Sequence, residues 1–228
     1  MIILNIETAG TICSIAVSEN ENIIFEQVST EVNSHSLKLG VFVEKALNQV
    51  NNRIDAVAVS SGPGSYTGLR IGVSMAKGLC FGYQIPLLGV PTLEIMTSKA
   101  IRQVKDDEIL YCPMIDARRM EVYSALYDSR LNPVSDVKAE IITDDSYATM
   151  LDVHKICFFG SGMAKCKTAI KSQNALFIND INPLASDMCA LAAKRFQTGQ
   201  FEDVAYFEPF YLKEFVAIVS KNKVIKKL

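Results

Sequence analysis

The chain has 228 residues, 49% of them hydrophobic and 21% charged, with a formal net charge of −2. That is ordinary globular composition with room for one large or two small domains, and it excludes an intrinsically disordered chain. A near-neutral charge balance argues against a protein that grips nucleic acid over a broad basic face. No apolar stretch approaches the length of a membrane span, and Glu7 comes too early for a secretory signal, so the expected location is the cytoplasm, with no membrane partner.

In chain order, apolar runs at 2–6, 12–17 and 23–28 predict three successive strands, broken at Ala9-Gly10 and at 20–22. Ser34 stands where it would cap a helix running to about Val50, with Leu37, Val41, Ala46 and Leu47 on its apolar face. A short buried strand at 56–59 leads into a glycine-rich turn and a helix over 67–83. A strand at 85–90 follows, then a helix that Pro91 opens and that reaches about Gln103. The polar stretch 104–108 is the best boundary in the chain.

Beyond it, 109–115 and 121–126 predict strands around the turn 116–119, and 155–159 another strand before a loop at Gly160 and Gly162. A helix is expected over 183–196, with Leu184, Met188, Leu191 and Ala192 on one side and Gly199 ending it. The last residues carry EPFYLKEF and then a lysine-bearing tail expected to run extended. No internal repeat is visible. Mixed strands and helices in this order indicate an α/β protein of two linked lobes, 1–104 and 105–228.

The densest local signal is the turn. Gly62, Pro63 and Gly64 force a change of direction after the strand, and Ser65 and Thr67 offer oxygens that can cap the following helix. The free N–H groups of such a helix start also suit an anion, which makes Gly62, Gly64, Ser65 and Thr67 a candidate anion- or nucleotide-proximal turn. The alternative is a purely structural turn. Neither GxxxxGK[ST] nor GxGxxG is present, because Leu69 and Arg70 follow Gly68, and Thr67 stands where the third glycine would be. Along the helix Gly68, Gly72 and Ala76 recur every fourth residue, clearing one face for a close helical neighbour, with Leu69, Val73 and Leu79 as the neighbouring apolar stripe.

Six cysteines, Cys13, Cys80, Cys112, Cys157, Cys166 and Cys189, are scattered among apolar residues without a CxxC pair, as expected of reduced core thiols. The two histidines, His35 and His154, lie far apart and form no local metal pair.

The run GPGSYTGLRIGVSMAKGLCF at 62–81, followed by PLLGVPTLE at 86–94, closely resembles the signature of the bacterial TsaB (YeaZ) family. LNIETAGTICSIAV at 4–17, DARRMEVYSALYD at 116–128 and EPFYLKEF at 208–215 look like that family's other landmarks in the same order. The resemblance implies two actin-like (ASKHA, ribonuclease H-like) subdomains with mixed sheets flanked by helices. It further implies a non-catalytic partner of TsaD in forming threonylcarbamoyladenosine (t6A) beside the anticodon of tRNAs that read ANN codons. TsaE would be a third partner. tRNA would be met through the complex, ATP would be used by the wider complex, and no cofactor would be bound by this chain alone.

Where the catalytic relative TsaD carries a metal-binding HxxxH pair, this sequence has Thr92 and Met96. Neither a hydroxyl nor a thioether replaces an imidazole ligand, so no metal is expected there. The same departure speaks against the older glycoprotease (peptidase M22-like) label. Glu7, with Thr8 and Gly10, stands where an actin-like ATPase keeps its first phosphate loop, but a turn closed by side-chain hydrogen bonds is the preferred reading. His35 is expected to be a half-exposed surface residue. Asp116, Arg118, Arg119 and Glu121 form a charged turn with local ion pairs, which the resemblance would place at the cleft between lobes.

These readings combine into a scaffold that pairs with TsaD through its two N-terminal helices, with Leu37, Val41, Gly68, Leu69, Gly72, Val73 and Ala76 as the partner-binding residues. Alone, the chain is expected to self-pair through the same surface, and Gly72→Arg is expected to block pairing. The alternative from another class is an independent metal-dependent peptidase or ATP-using enzyme of the actin-like superfamily.

Overall fold

The computed structural model describes residues 1–31 and 34–212. Five strands form the first sheet: β1 (Ile2–Glu7), β2 (Cys13–Glu19), β3 (Asn22–Ser29), β4 (Ala56–Gly62) and β5 (Leu87–Pro91). They lie in the order β3-β2-β1-β4-β5. The first three pair antiparallel as a meander, whereas β1, β4 and β5 are parallel, with Ile6 opposite Val59 and Val59 opposite Gly89. The parallel joins need crossovers, and helices α1 (His35–Gln49) and α2 (Tyr66–Tyr83) supply them.

The two faces of this sheet differ in bulk, because alternate residues of a strand point to opposite sides. Leu4, Ile6, Val57 and Val59 pack with α1 and α2, against Leu39, Phe42, Val43, Val73 and Ala76. On the other side, Ile3, Ala56, Ala58 and Leu88 meet α6 (Ala185–Gln197) through Met188, Leu191 and Ala192. Alanines in the strand let α6 approach closely. β3 is an edge strand, buried only at its last residue and half-buried at Phe25 and Gln27.

The second sheet repeats the first in topology. Strands β6 (Leu110–Asp116), β7 (Glu121–Ser124), β8 (Lys138–Ile141), β9 (Ile156–Phe159) and β10 (Ala175–Phe177) lie in the order β10-β9-β6-β7-β8. Again three strands form an antiparallel meander and the first pairs parallel with the fourth. The short helices α4 (Ala148–Leu151) and α5 (Met163–Cys166) stand where the first lobe has α1 and α2. The repeat is one of hydrogen-bond pattern, so a sequence without self-similarity does not show it.

Each sheet is followed by a helix that crosses to the other. Helix α3 (Thr92–Val104), after β5, packs Leu93, Met96 and Ala100 on Tyr111, Cys157 and Phe159 of the second sheet. Helix α6, after β10, packs on the first. The expected division at residue 104 therefore separates the two sheets but misplaces α6 and residues 199–212, which return to β5 and α2. Two ion-pair groups tie the crossing helices: Arg195 to Glu94 at 2.6 Å, and Asp187 to Arg102 at 2.5 Å and Lys99 at 3.5 Å.

Candidate partner-binding surface

The turn into α2 is closed by the chain itself. Ser65 N–H donates to the Ala9 carbonyl at 2.7 Å, and Ser65 Oγ accepts from Gly68 N–H at 3.2 Å as the helix cap. Gly62 holds a φ of +100°, and a Cβ on it would stand 2.7 Å from the Phe210 carbonyl oxygen. At Gly64 a Cβ would stand 2.6 Å from the Ala9 carbonyl oxygen. Two of the amides that suited an anion are thus engaged within the protein. Gly62, Gly64 and Ser65 seat the end of β1 and residue Phe210, while Thr67 is exposed and lines the outer side of α2.

The small-residue stripe of α2 faces inward, which corrects the sequence reading. Gly68, Leu69, Gly72, Val73 and Ala76 are all buried. A Cβ at Gly68 would lie 2.1 Å from the Thr8 carbonyl oxygen, and one at Gly72 would lie 2.2 Å from Thr8 Oγ1. The cleared face is filled by the chain's own turn after β1, where Thr8 Oγ1 donates to the Gly68 carbonyl at 2.8 Å. Of the seven residues expected to meet a partner, only Leu37 and Val41 are on the surface, 77% and 48% exposed.

The opposite face of α2, with the start of α1, is not covered by any other element among the described residues. Among the described residues a groove of about 790 Å³ is lined by Ile71, Met75 and Leu79, by the small residues Ser36, Ser74 and Gly78, and by Tyr66, Thr67 and Arg70 at the head of α2. Arg70 donates to the Tyr66 hydroxyl at 2.7 Å and lies over its ring. Gly40 and Gly78 have open space where a side chain would be, so the outer faces of both helices carry their own small positions. Phe81, at the far end of α2, is 75% exposed. The missed residues Ile71 and Met75 had a signal: with Leu79 they also recur every fourth residue.

Glu7 lies fully buried at the end of β1 with its Oε1 accepting from Ala9 N–H at 2.6 Å, which agrees with a turn closed by side-chain hydrogen bonds. Its Oε2 has no hydrogen-bond partner among the described residues. Burial pushes the carboxyl up to about 7, against the pull of the Ala9 amide. Thr92 and Met96 are buried at the start of α3, where the Met96 methyl fills the space beside Gly160. Among the described residues no group of three or more His, Cys, Asp or Glu side chains is placed to hold a metal ion.

His35 is buried rather than half-exposed, because the first turn of α1 packs it inward beside Leu39. All six cysteines are free and buried, and burial raises the thiols of Cys13, Cys80 and Cys189 to about 11. In the charged turn, Asp116 pairs with Lys165 of α5 and accepts from Arg118 N–H at 2.9 Å, while Lys165 also donates to the Glu121 carbonyl at 2.6 Å. Partial burial opposes it, yet Lys165 and that amide hold the Asp116 carboxyl below its usual range. The lysine-bearing tail lies outside the described residues. No helix among them is long and apolar enough to cross a membrane.

Comparison with known proteins supplies the lineage. Residues 23–227 match the family model described as TsaD: tRNA N6-adenosine threonylcarbamoyltransferase. The tRNA threonylcarbamoyladenosine biosynthesis protein TsaB of Escherichia coli is 31% identical over 95% of this chain and 96% of its own length. TsaB of Bacillus subtilis is 34% identical over 56% of this chain and 55% of its own. A solved structure titled YeaZ from Pseudomonas aeruginosa superposes with a TM-score of 0.79 at 25% identity, covering 92% of this chain and 99% of that one. A putative N-acetylmannosamine kinase from Listeria monocytogenes, at 11% identity and a TM-score of 0.51 over 88% of this chain and all of its own, shares the actin-like kinase fold alone. With sequence, fold and topology in agreement, this chain belongs to the TsaB (YeaZ) family of tRNA threonylcarbamoyladenosine biosynthesis proteins, related to TsaD.

Proposed function

We propose that the chain is a non-catalytic scaffold and activator that pairs with TsaD in the complex forming t6A next to the anticodon of tRNAs reading ANN codons. The observation that carries this reading is the outer apolar face of α1 and α2, where Leu37 and Val41 are exposed and the partly buried Ile71, Met75 and Leu79 line a groove with Ser36, Ser74 and Gly78. Apolar residues interspersed with small ones let a second pair of helices approach closely and bury area on both sides. TsaD supplies the transfer chemistry, TsaE joins as a further partner, and tRNA is engaged through the complex. ATP is consumed by the wider assembly, and this chain binds no cofactor of its own. Without TsaD, the same face supports a homodimer.

The test mixes the purified chain with TsaD from the same organism, measures complex mass by light scattering after size exclusion, and follows threonylcarbamoyl transfer to tRNA. A one-to-one complex that transfer requires is the expected result. Full transfer by TsaD without this chain, and no complex, would overturn the reading.

A further inference from the structure

The polarity of strand β8 is inverted. Its pairing with β7 puts Ala139 beside Tyr123 and Ile141 beside Glu121, while Lys138 stands beside Ser124 and Glu140 beside Val122. Residues opposite one another across a ladder share a face of the sheet. Val122 and Ser124 are fully buried, and Val122 belongs to the core of the second lobe with Ile142, Leu151 and Met163. The two charged residues of β8 therefore take the inner face, and Ile141 is left 67% exposed on the outer one. Hydrophobic burial alone would have chosen the opposite register.

The charged pair lines a cavity of about 310 Å³ between β7, β8 and residues 145–150. Leu126, Val134 and Met150 give it an apolar wall, while Lys138, Glu140 and Asp145 give it charge, two carboxylates against one ammonium. Its walls are braced from within. The hydroxyls of Tyr147 and Ser124 lie 2.9 Å apart, and Leu126 N–H donates to Ser135 Oγ at 2.9 Å. Lys138 Nζ stands 3.3 Å from Glu140 Oε1, whereas Glu140 Oε2 is buried and has no donor among the described residues. A buried carboxylate oxygen without a donor is costly, which calls for a donor from an occupant of the cavity.

Strand β8 is also the edge of its sheet, and an inward-pointing charge can guard an edge against pairing with another chain. That device requires neither a cavity nor a carboxylate oxygen withheld from water. We propose that the cavity binds a small organic ammonium ion, with its N–H groups toward the carboxylates of Glu140 and Asp145 and a short aliphatic chain against Leu126, Val134 and Met150. The excess of one carboxylate selects a cation over an anion, and the apolar wall selects an alkylammonium over a bare metal ion. A volume of about 310 Å³ is at the small end for ligand pockets, with room for a chain of a few carbons. The site shares no residue with the α1/α2 groove and does not depend on the function proposed above.

The experiment adds n-butylammonium chloride to the full chain and reads saturation transfer to its aliphatic protons by NMR, beside n-butanol and n-butyrate as neutral and anionic probes of similar length. Saturable transfer to n-butylammonium, with little to the other two, is expected. Glu140→Gln keeps the side-chain size and removes the charge, and it should weaken binding at least about tenfold, as loss of a charge-assisted hydrogen bond does. Asp145→Asn changes an exposed position and should weaken binding in the same direction, so it serves if thermal melts show that Glu140→Gln is unfolded. Butanol or butyrate binding as well as the ammonium overturns the assigned ligand class. Binding that neither variant weakens overturns the site. Transfer to none of the three probes overturns the proposal and leaves the inward charges as edge protection alone.

Discussion

The Thr8 hydroxyl donates to the Gly68 carbonyl at 2.8 Å while standing in the space that a side chain at Gly72 would need. One threonine after β1 therefore uses two glycines of α2. Gly68→Ala and Gly72→Ala should each destabilise the fold by about 1–3 kcal/mol, as overpacked sites do. The two differ in rescue. The Gly72 methyl would meet the Thr8 hydroxyl, which Thr8→Ala removes, whereas the Gly68 methyl would meet the Thr8 backbone carbonyl, which it does not. Urea titrations of the double-mutant cycles should show coupling of at least about 1 kcal/mol between positions 8 and 72 and little between 8 and 68. Equal coupling in both cycles would contradict the packing.

That inward face explains what the sequence left open. Helix α2 is apolar on two stripes: Leu69, Val73, Ala76 and Cys80 on one, Ile71, Met75 and Leu79 on the other. Periodicity finds both and does not say which meets the chain's own sheet, since that is decided by Thr8, sixty residues away. Strands and long helices were legible because buried β-branched runs and the Gly62-Pro63-Gly64 turn act locally. Strands β8 and β10 were missed because they are short and mostly half-exposed, so they carry no apolar run. The burial of His35 was missed because its position on α1 depends on the sheet it packs against.

Ser74 is exposed on the outer face, one turn from Gly78. Ser74→Arg should leave stability within about 0.5 kcal/mol, as surface changes do, while weakening TsaD binding at least about tenfold. Gly72→Arg should instead lose the folded lobe. Thermal melts and pull-down titrations of the two variants separate the faces. Intact binding by folded Ser74→Arg would move the interface elsewhere.

Glu7 should make stability depend on pH. Its carboxyl titrates near 4.5 in the unfolded chain and near 7 when buried, so the unfolded state gives up its proton first. Stability attributable to this group is complete below about 4.5 and is lost as pH rises through 7, by about 3 kcal/mol in all. Glu7→Gln keeps an acceptor for Ala9 N–H without the charge. The stability advantage of Glu7→Gln over the parent should widen by that amount across the window and stay constant above it. A difference that does not change with pH would show that Glu7 ionises freely in the fold.

The crossing helices α3 and α6 join the two sheets, and the Arg195–Glu94 pair between them is less exposed than the Lys38–Glu31 pair. The side chains of Arg195 and Glu94 are 16% and 25% exposed, against 38% and 69% for Lys38 and Glu31. A partly buried pair is screened less by solvent and salt, whereas an exposed one contributes well under 1 kcal/mol. Double-mutant cycles with Glu94→Gln and Arg195→Gln should therefore give a coupling of about 1–2 kcal/mol that survives high salt. The cycle at Lys38 and Glu31 should give less than about 0.5 kcal/mol and vanish in salt. If both cycles respond alike, the α3–α6 contact is held by its apolar side chains alone, and the charges only mark where the helices cross.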